Sequence, residues 1–331
     1  MARLHKEFIG YNKKIRLTDV KKDSLKRSRK ELRKKMRKWF RENKPKELQP
    51  KFGSQGSLPM NTIVNPIPVA APDGKILYKY DLDDGVYFIE KDGEDNRRAV
   101  NTWHDWVYES VDGHTGEPTI RKTTCVRVQF ADGHHIDLPI YYKKGDSIEL
   151  AHKSKGWILA DPKKFYEWFN DLKNAQLERL VRYMKGWKDY RELSNNSLIL
   201  PSGFALTILF ANHYCKDDND DESLLRTVEA VRAELERDFK CLRPTTPKGE
   251  DVFEDYSESM RSNFLSALES LERDLRRAKR EKNFRVASEI LRKNQFGDRF
   301  PLGDDRKEED KANGLKKGLM GASITPKPYG R

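Results

Sequence analysis

Residues 80–88 read Tyr80-Asp81-Leu82-Asp83-Asp84-Gly85-Val86-Tyr87-Phe88, which sets three carboxylates inside an otherwise apolar run. A strand turns residues i and i+2 to the same face. Asp81 and Asp83 therefore look one way, and Leu82 and Asp84 the other. Neighbouring carboxylates repel and tend to hold a proton unless a cation makes both ionised forms favourable. Hard divalent metals with oxygen ligands supply that compensation. The plainer reading is a turn, since Asp-Asp-Gly can simply end a strand. What lies on either side of the stretch bears on the choice.

Upstream stands Phe52-Gly53-Ser54-Gln55-Gly56-Ser57-Leu58. A Gly-Ser pair after a strand-like segment lets the backbone approach a phosphate closely. Amide groups can then cradle the oxygens, with the Ser57 hydroxyl as a further donor. Gly-Ser pairs also occur in ordinary turns. Residues 61–75 form a proline-rich irregular connection, after which 76–80 lead into the carboxylate strand.

Downstream, residues 99–112 read as an amphipathic helix with Val100, Trp103, Val107 and Val111 on one side. Residues 123–130 are strand-like by β-branched content. Ala131-Asp132-Gly133 is a hairpin signal, and His135-Ile136-Asp137-Leu138-Pro139-Ile140-Tyr141-Tyr142 is the return strand. Asp137 lies between apolar neighbours, a costly place if buried without a partner. If this strand pairs beside Asp81–Phe88, Asp137 joins Asp81 and Asp83. The alternative is a surface Asp on an edge strand, a position that Pro139 suits.

The chain has 331 residues, enough for a sizeable core in two lobes. It is 36% hydrophobic and 36% charged, and no apolar run is long enough to span a bilayer. The N-terminus lacks the apolar core of a secretory signal. Cys125, Cys215 and Cys241 are odd in number and far apart, which fits a reducing cytoplasm rather than a disulfide framework. The net charge of +12 and pI near 9.3 favour polyanionic partners without choosing among triphosphates, nucleic acid and anionic membrane.

Residues 1–18 have little period, though Phe8, Ile9, Tyr11, Ile15 and Leu17 can dock onto a core. Thr18 or Asp19 caps a helix running to about Asn43, with Leu25, Leu32, Met36, Trp39 and Phe40 as its stripe. Residues 19–47 hold 14 Lys or Arg against 5 Asp or Glu, either a solvated face or a surface for phosphate-bearing ligands. Asp161-Pro162 is a strong helix start. From there the pattern is helical over 165–172, 176–190, 204–214, 223–242 and 257–294. Residues 303–331 are polar, rich in glycine and lysine, and expected to be disordered.

A Gly-Ser loop, an Asp-x-Asp strand and a lone Asp on a neighbouring strand together suit two-metal phosphoryl transfer. Asp81 and Asp83 would touch the metal that holds a triphosphate, and both, with Asp137, would hold the metal that activates an attacking hydroxyl. Two His/Cys groupings argue less. His213 and Cys215 stand together without two further ligands nearby, and His134-His135 would face opposite ways on a strand, so no zinc site is expected.

The set Gln55-Gly56-Ser57, Tyr80 to Tyr87 and His135-Ile136-Asp137-Leu138-Pro139 resembles the bacterial cGAS/DncV-like nucleotidyltransferases, cyclic-oligonucleotide synthases of anti-phage signalling. In the helical half the resemblance rests on Val181 to Lys188 and on Leu200-Pro201-Ser202-Gly203-Phe204-Ala205-Leu206, and it covers roughly residues 5–300. It implies an α+β fold, with a DNA polymerase beta-like nucleotidyltransferase core over 1–160, a helical oligoadenylate-synthetase-like lobe over 161–302, and a tail over 303–331. It implies Asp81, Asp83 and Asp137 as catalytic metal ligands for two Mg²⁺ ions, with Mn²⁺ able to substitute. Gln55, Gly56 and Ser57 would hold the donor triphosphate, joined by Lys185 and Ser202 from the helical lobe. Lys188 competes with Lys185 for that role, and Arg127 stands near the acceptor pocket. Asp84 is expected to be structural.

The implied enzyme joins two or three nucleoside triphosphates, ATP with GTP for preference, into a cyclic di- or trinucleotide such as cyclic GMP-AMP. No membrane partner is expected, nucleic acid is not required although it is not ruled out, and the tail could be gripped by an accessory protein. A linear template-free polymerase or nucleotide-modifying toxin on the same core is the enzymatic alternative. A catalytically inactive nucleic-acid- or partner-binding scaffold, which the basic helix suits, is the third reading.

Overall fold

The computed structural model describes residues 2–70, 74–91 and 96–305. Two helices open the chain, α1 (His5–Ile15) and α2 (Asp19–Asn43). The strands are β1 (Lys51–Gln55), β2 (Val69–Ala70), β3 (Ile76–Leu77) and β4 (Asp81–Ile89), then, after α3 (Val100–Val111), β5 (Thr119–Arg121), β6 (Cys125–Gln129), β7 (His135–Lys144), β8 (Ser147–His152) and β9 (Gly156–Leu159). Helices follow: α4 (Pro162–Leu172), α5 (Ala175–Ser194), α6 (Gly203–Asn212), α7 (Asp220–Arg237), α8 (Glu258–Arg280) and α9 (Phe284–Leu291).

The main sheet runs β1-β4-β7-β6-β5, with β8 on β7 and β9 on β8. Only the β4–β7 pair among its ladders is parallel. Alternation decides what each face does. Leu82, Val86 and Phe88 of β4, Ile136, Leu138 and Ile140 of β7, and Val126 and Val128 of β6 are buried in one core. Leu25, Leu32, Met36 and Phe40 of α2, and Trp103, Val107 and Val111 of α3, cover them. The odd-numbered residues of the same strands face the other way.

β7 is an interior strand, not an edge. Pro139 is tolerated because the β4–β7 ladder skips from Asp83↔Asp137 to Val86↔Ile140 around it. Proline has no N–H to offer there.

The basic helix α2 is not simply a solvated face. Arg33 forks onto Asp84, Arg29 donates to the Ser54 hydroxyl at 2.8 Å, and Lys35 Nζ donates to the Asp112 carbonyl at 2.6 Å. Arg37 stacks its guanidinium 4.8 Å from the Phe52 ring centre.

Residues 2–15 pack in the core of the helical lobe and not with the sheet. The cause is a stripe at helical spacing, Phe8, Tyr11 and Ile15, which α1 lays against α5 and against Phe296 and Phe300. Phe8 meets the rings of Tyr183, Phe296 and Phe300 at 5.0–5.7 Å. Residues 303–305 belong to the folded body, for Gly303 is buried and its N–H donates to the Ser288 hydroxyl at 2.8 Å. The rest of the expected tail, with any accessory-protein contact, lies outside the described residues. The helix expected over 257–294 is two helices. The Asn283 side chain accepts from Arg285 N and Val286 N and starts α9 afresh. No helix among the described residues is long and apolar enough to cross a membrane.

Candidate active site

The parallel register sets Asp83 opposite Asp137 and Asp81 opposite His135, all on the sheet face turned toward the helical lobe. Asp81, His135 and Asp137 each bring one ligand atom within 4.8 Å of the others. Paired with its neighbour His134, His135 faces the other way and is set aside as a ligand in the sequence. Its position two residues before Asp137 on a strand is the signal that places both on one face. Burial lowers the basicity of its imidazole, and Arg127 adds to this.

Asp83 stands slightly apart. Burial, then Asp81 and Asp137, hold its carboxyl far above the ordinary range, while Arg127 and Lys185 pull it down. The cluster is thus short of positive charge. The donors are carboxylate oxygens with one imidazole, which fits a divalent cation. Arg127 takes both oxygens of Asp137, with Nε and Nη2 each at 2.7 Å.

Gly56 has φ +75°, and a Cβ there would fall 2.3 Å from Asp83 Oδ2. Only glycine lets this loop lie on the carboxylate. Gly56 and Ser57 line a cavity of about 350 Å³ with Asp81, Asp83, Lys185 and Thr207. Gln55 instead turns toward the sheet, donating its amide to the Tyr141 hydroxyl at 3.0 Å. It lines a second cavity of about 320 Å³ with Asp83, Asp137, Phe165, Phe204 and Arg243. The carboxylates stand between the two cavities.

From the helical lobe, Lys185 of α5 enters the first cavity and donates to the Thr62 hydroxyl at 3.1 Å. Burial brings its ammonium down to about 8 against the pull of Asp81, Asp189 and Asp83. A Cβ on Gly203 would sit 3.0 Å from Lys185 Cε, so glycine at the start of α6 leaves this lysine its path. Lys188 also borders the cavity but is ion-paired with Glu192. Ser202 spends its hydroxyl on the cap of α6, accepting from Ala205 N at 3.2 Å. The α6 residues that line the cavity are Gly203, Phe204 and Thr207. Asp84, on the opposite face, is fully buried and held by Arg33.

Residues 50–141 match the family profile described as cyclic GMP-AMP synthase DncV-like, nucleotidyltransferase domain. A cyclic GMP-AMP synthase of Escherichia albertii is 29% identical over 196 residues, which are 56% of this chain and 42% of that protein. The chain therefore matches less than half of that relative's length. The apo form of Vibrio cholerae DncV superposes with a TM-score of 0.76 at 21% identity, over 90% of this chain and 96% of that one. The same synthase with the linear intermediate 5′ pppA(3′,5′)pG gives 0.75 at 21%, over 91% and 99%. At that identity the structural likeness speaks for the fold, and the profile match spans β1 to β7, the strands that carry Asp81, Asp83 and Asp137. Residues 50–141 are thus similar to the nucleotidyltransferase domain of the DncV-like cyclic GMP-AMP synthases, and the chain as a whole shares the fold of Vibrio cholerae DncV.

Proposed function

We propose that the protein is a Mg²⁺-dependent synthase. It joins nucleoside triphosphates, purines for preference, into a cyclic di- or trinucleotide that serves as a second messenger in anti-phage signalling. The observation that carries the reading is the gathering of Asp81, Asp83 and Asp137 on one sheet face between two cavities, with Gly56 against Asp83. Two cavities meeting at one set of carboxylates suit two nucleotides, one donating an α-phosphate and one attacking it. The Vibrio cholerae relative holds a linear pppA(3′,5′)pG intermediate, which is the product such a first step would leave.

Asp81, Asp83 and Asp137 would hold the metal pair, with His135 beside them. When bound, such a pair stabilises the entering and leaving oxygens and makes a hydroxyl nucleophilic at neutral pH. The amides at Gly56 and Ser57 and the ammonium of Lys185 would bind and orient the donor triphosphate, leaving its α-phosphate facing the acceptor hydroxyl. Phe165 and Phe204, whose rings stand 4.6 Å apart, offer an apolar surface for a base in the second cavity.

Incubation of the purified chain with the four labelled triphosphates and Mg²⁺ or Mn²⁺ tests this. The expected product has lost its terminal phosphates, resists phosphatase and has the mass of a ring. A ladder of phosphatase-sensitive oligomers would replace the cyclase reading with a linear polymerase. No product under any combination would sink the enzymatic reading.

A further inference from the structure

Thr62 is fully buried at the seam of the two lobes. Met60 before it packs in the core of the helical lobe, and Ile63 after it packs in the core of the sheet. Both line the cavity shared by Gly56, Ser57 and Lys185, while Thr62 between them has no exposed surface. Its N–H donates to the Ser57 carbonyl at 3.0 Å and so closes the loop that begins at Gly56 and Ser57. Its hydroxyl accepts from Lys185 Nζ at 3.1 Å, and Lys185 is that hydroxyl's partner among the described residues. One residue therefore bonds to both sides of the cavity.

The attachment does not depend on one bond. Glu178, Arg182 and Lys185 are spaced to share one face of α5. Glu178 Oε2 accepts from the Asn61 side chain at 2.8 Å, and Arg182 Nη1 donates to the Asn61 carbonyl. Arg182 is itself buried and held from behind, where its Nε donates to Asn12 Oδ1 at 2.8 Å. Asn61 takes a left-handed φ of +56°, and its N–H donates to the Leu58 carbonyl at 3.1 Å, so the loop is sharply turned where α5 grips it. A polar stripe on α5 thus engages two successive residues, Asn61 and Thr62.

We infer that Thr62 is a positioning residue for triphosphate binding, its hydroxyl fixing the Lys185 ammonium at a set distance from the Gly56 and Ser57 amides. The inference rests on the synthase reading above. A lysine is a point charge on a flexible stem, and its rotamers must be frozen before it can serve a phosphate. An anchor that freezes them beforehand lowers the cost of binding. A hydroxyl occupies one of the three N–H groups, leaves two for a ligand and does not neutralise the charge. A carboxylate in its place would compete with the phosphates. Because Thr62 N is bonded to Ser57, a shift of the loop carries the lysine's anchor with it, and amides and ammonium keep one spacing.

Thr62→Val replaces the hydroxyl with a methyl of similar size, and Thr62→Ser keeps it. Loss of one hydrogen bond to a charged group should raise the apparent KM for triphosphate about tenfold in Thr62→Val, with kcat within about threefold of wild type. Thr62→Ser should bring KM back to within about twofold. In a Lys185→Met background Thr62→Val should add nothing, because no ammonium is left to place, whereas a threonine that only fills the core would cost the same in both backgrounds. Should Thr62→Val not fold, Thr62→Ala takes its place under the same outcomes. An unchanged KM overturns the inference, as does a serine that fails to restore it or an equal rise without the lysine. A lowered KM overturns it too, since the hydroxyl would then be competing with phosphate. If wild type makes no product, it is the synthase reading that has failed. Calorimetry with inorganic tripolyphosphate and Mg²⁺ then decides the role of Thr62 alone. That role stands if Thr62→Val weakens binding about tenfold only where Lys185 is present, and falls if wild type does not bind or the variants bind alike.

Discussion

Strand β4 carries carboxylates on both of its faces, and the fold treats the two faces in opposite ways. Asp84 points into the α2 side, fully buried, and meets a guanidinium made for it. Arg33 Nε sits 2.7 Å from its Oδ2, and Nη2 takes the other oxygen. Burial still pushes the carboxyl up, and Arg33, Arg29 and Arg37 draw it back. On the other face Asp81, Asp83, Asp137 and His135 stand together, with Arg127 and Lys185 as the cations that draw Asp83 down. A carboxylate matched inside the fold is part of its structure. A group of carboxylates left short of cations needs something the chain does not contain.

The largest effect that tests this contrast is at Asp83. Asp83→Asn keeps size and shape and removes one ligand charge. Losing several kcal/mol of transition-state stabilisation predicts a fall in turnover of about 10³-fold or more. The thermal midpoint should hold or rise, because one of several crowded like charges has gone. A variant that loses activity together with its fold would break the comparison, since it would make Asp83 structural in the manner of Asp84.

The opposite pattern is expected behind the sheet. Arg33→Met strips the buried Asp84 of its partner and should cost about 3 kcal/mol in urea unfolding. Arg33→Met with Asp84→Leu should recover most of that, because the expense lies in the orphaned charge and not in the absent pair. Turnover per folded molecule should change far less than in Asp83→Asn. If the double variant is no more stable than the single one, the pair is doing more than neutralising a buried charge.

Gly56 sharpens the boundary between the faces. It touches Asp83, yet it belongs to a surface loop. Gly56→Ala puts a Cβ where Asp83 Oδ2 lies and strains a φ of +75°. About 1 kcal/mol of stability should be lost. Turnover should drop about 100-fold, because a reacting group misplaced by an ångström is costly. Steady-state kinetics beside a melting curve separates the two.

Much of this contrast was legible before any coordinates. Period-two alternation in 80–88 told Asp84 from Asp81 and Asp83, and the β7 run offered Asp137. Alternation is local, so a sequence displays it. What Asp84 pairs with is not local, for Arg33 stands 51 residues away and its match depends on how α2 lies on the sheet. The Arg127–Asp137 fork depends likewise on hairpin register. His135 is set aside as a ligand when it is paired with His134, because that pairing hides its alternation with Asp137. Ser202 shows the reverse difficulty. A Ser-Gly before an apolar helix is equally a cap and a phosphate donor, and its hydroxyl is on Ala205 N. Helix α1 was missed although Phe8, Tyr11 and Ile15 have helical spacing, because its stripe is short and serves a lobe far along the chain.

The smallest effect lies at the rim of the matched face. Arg37 contributes charge to Asp84 from a distance and stacks on Phe52, which also sees Arg33 at 5.2 Å. If the stacking matters more, Arg37→Lys should lose nearly as much stability as Arg37→Gln, about 0.5–1 kcal/mol, because an ammonium cannot lie flat on the ring. If the long-range charge matters more, Arg37→Lys should be neutral and Arg37→Gln should lose more at low salt than at high salt. Flat stacking persists in salt, so urea unfolding of the two variants at two ionic strengths decides between them. The stacking outcome is expected, since two guanidinium nitrogens of Arg33 already occupy the Asp84 oxygens and leave Arg37 little direct work there.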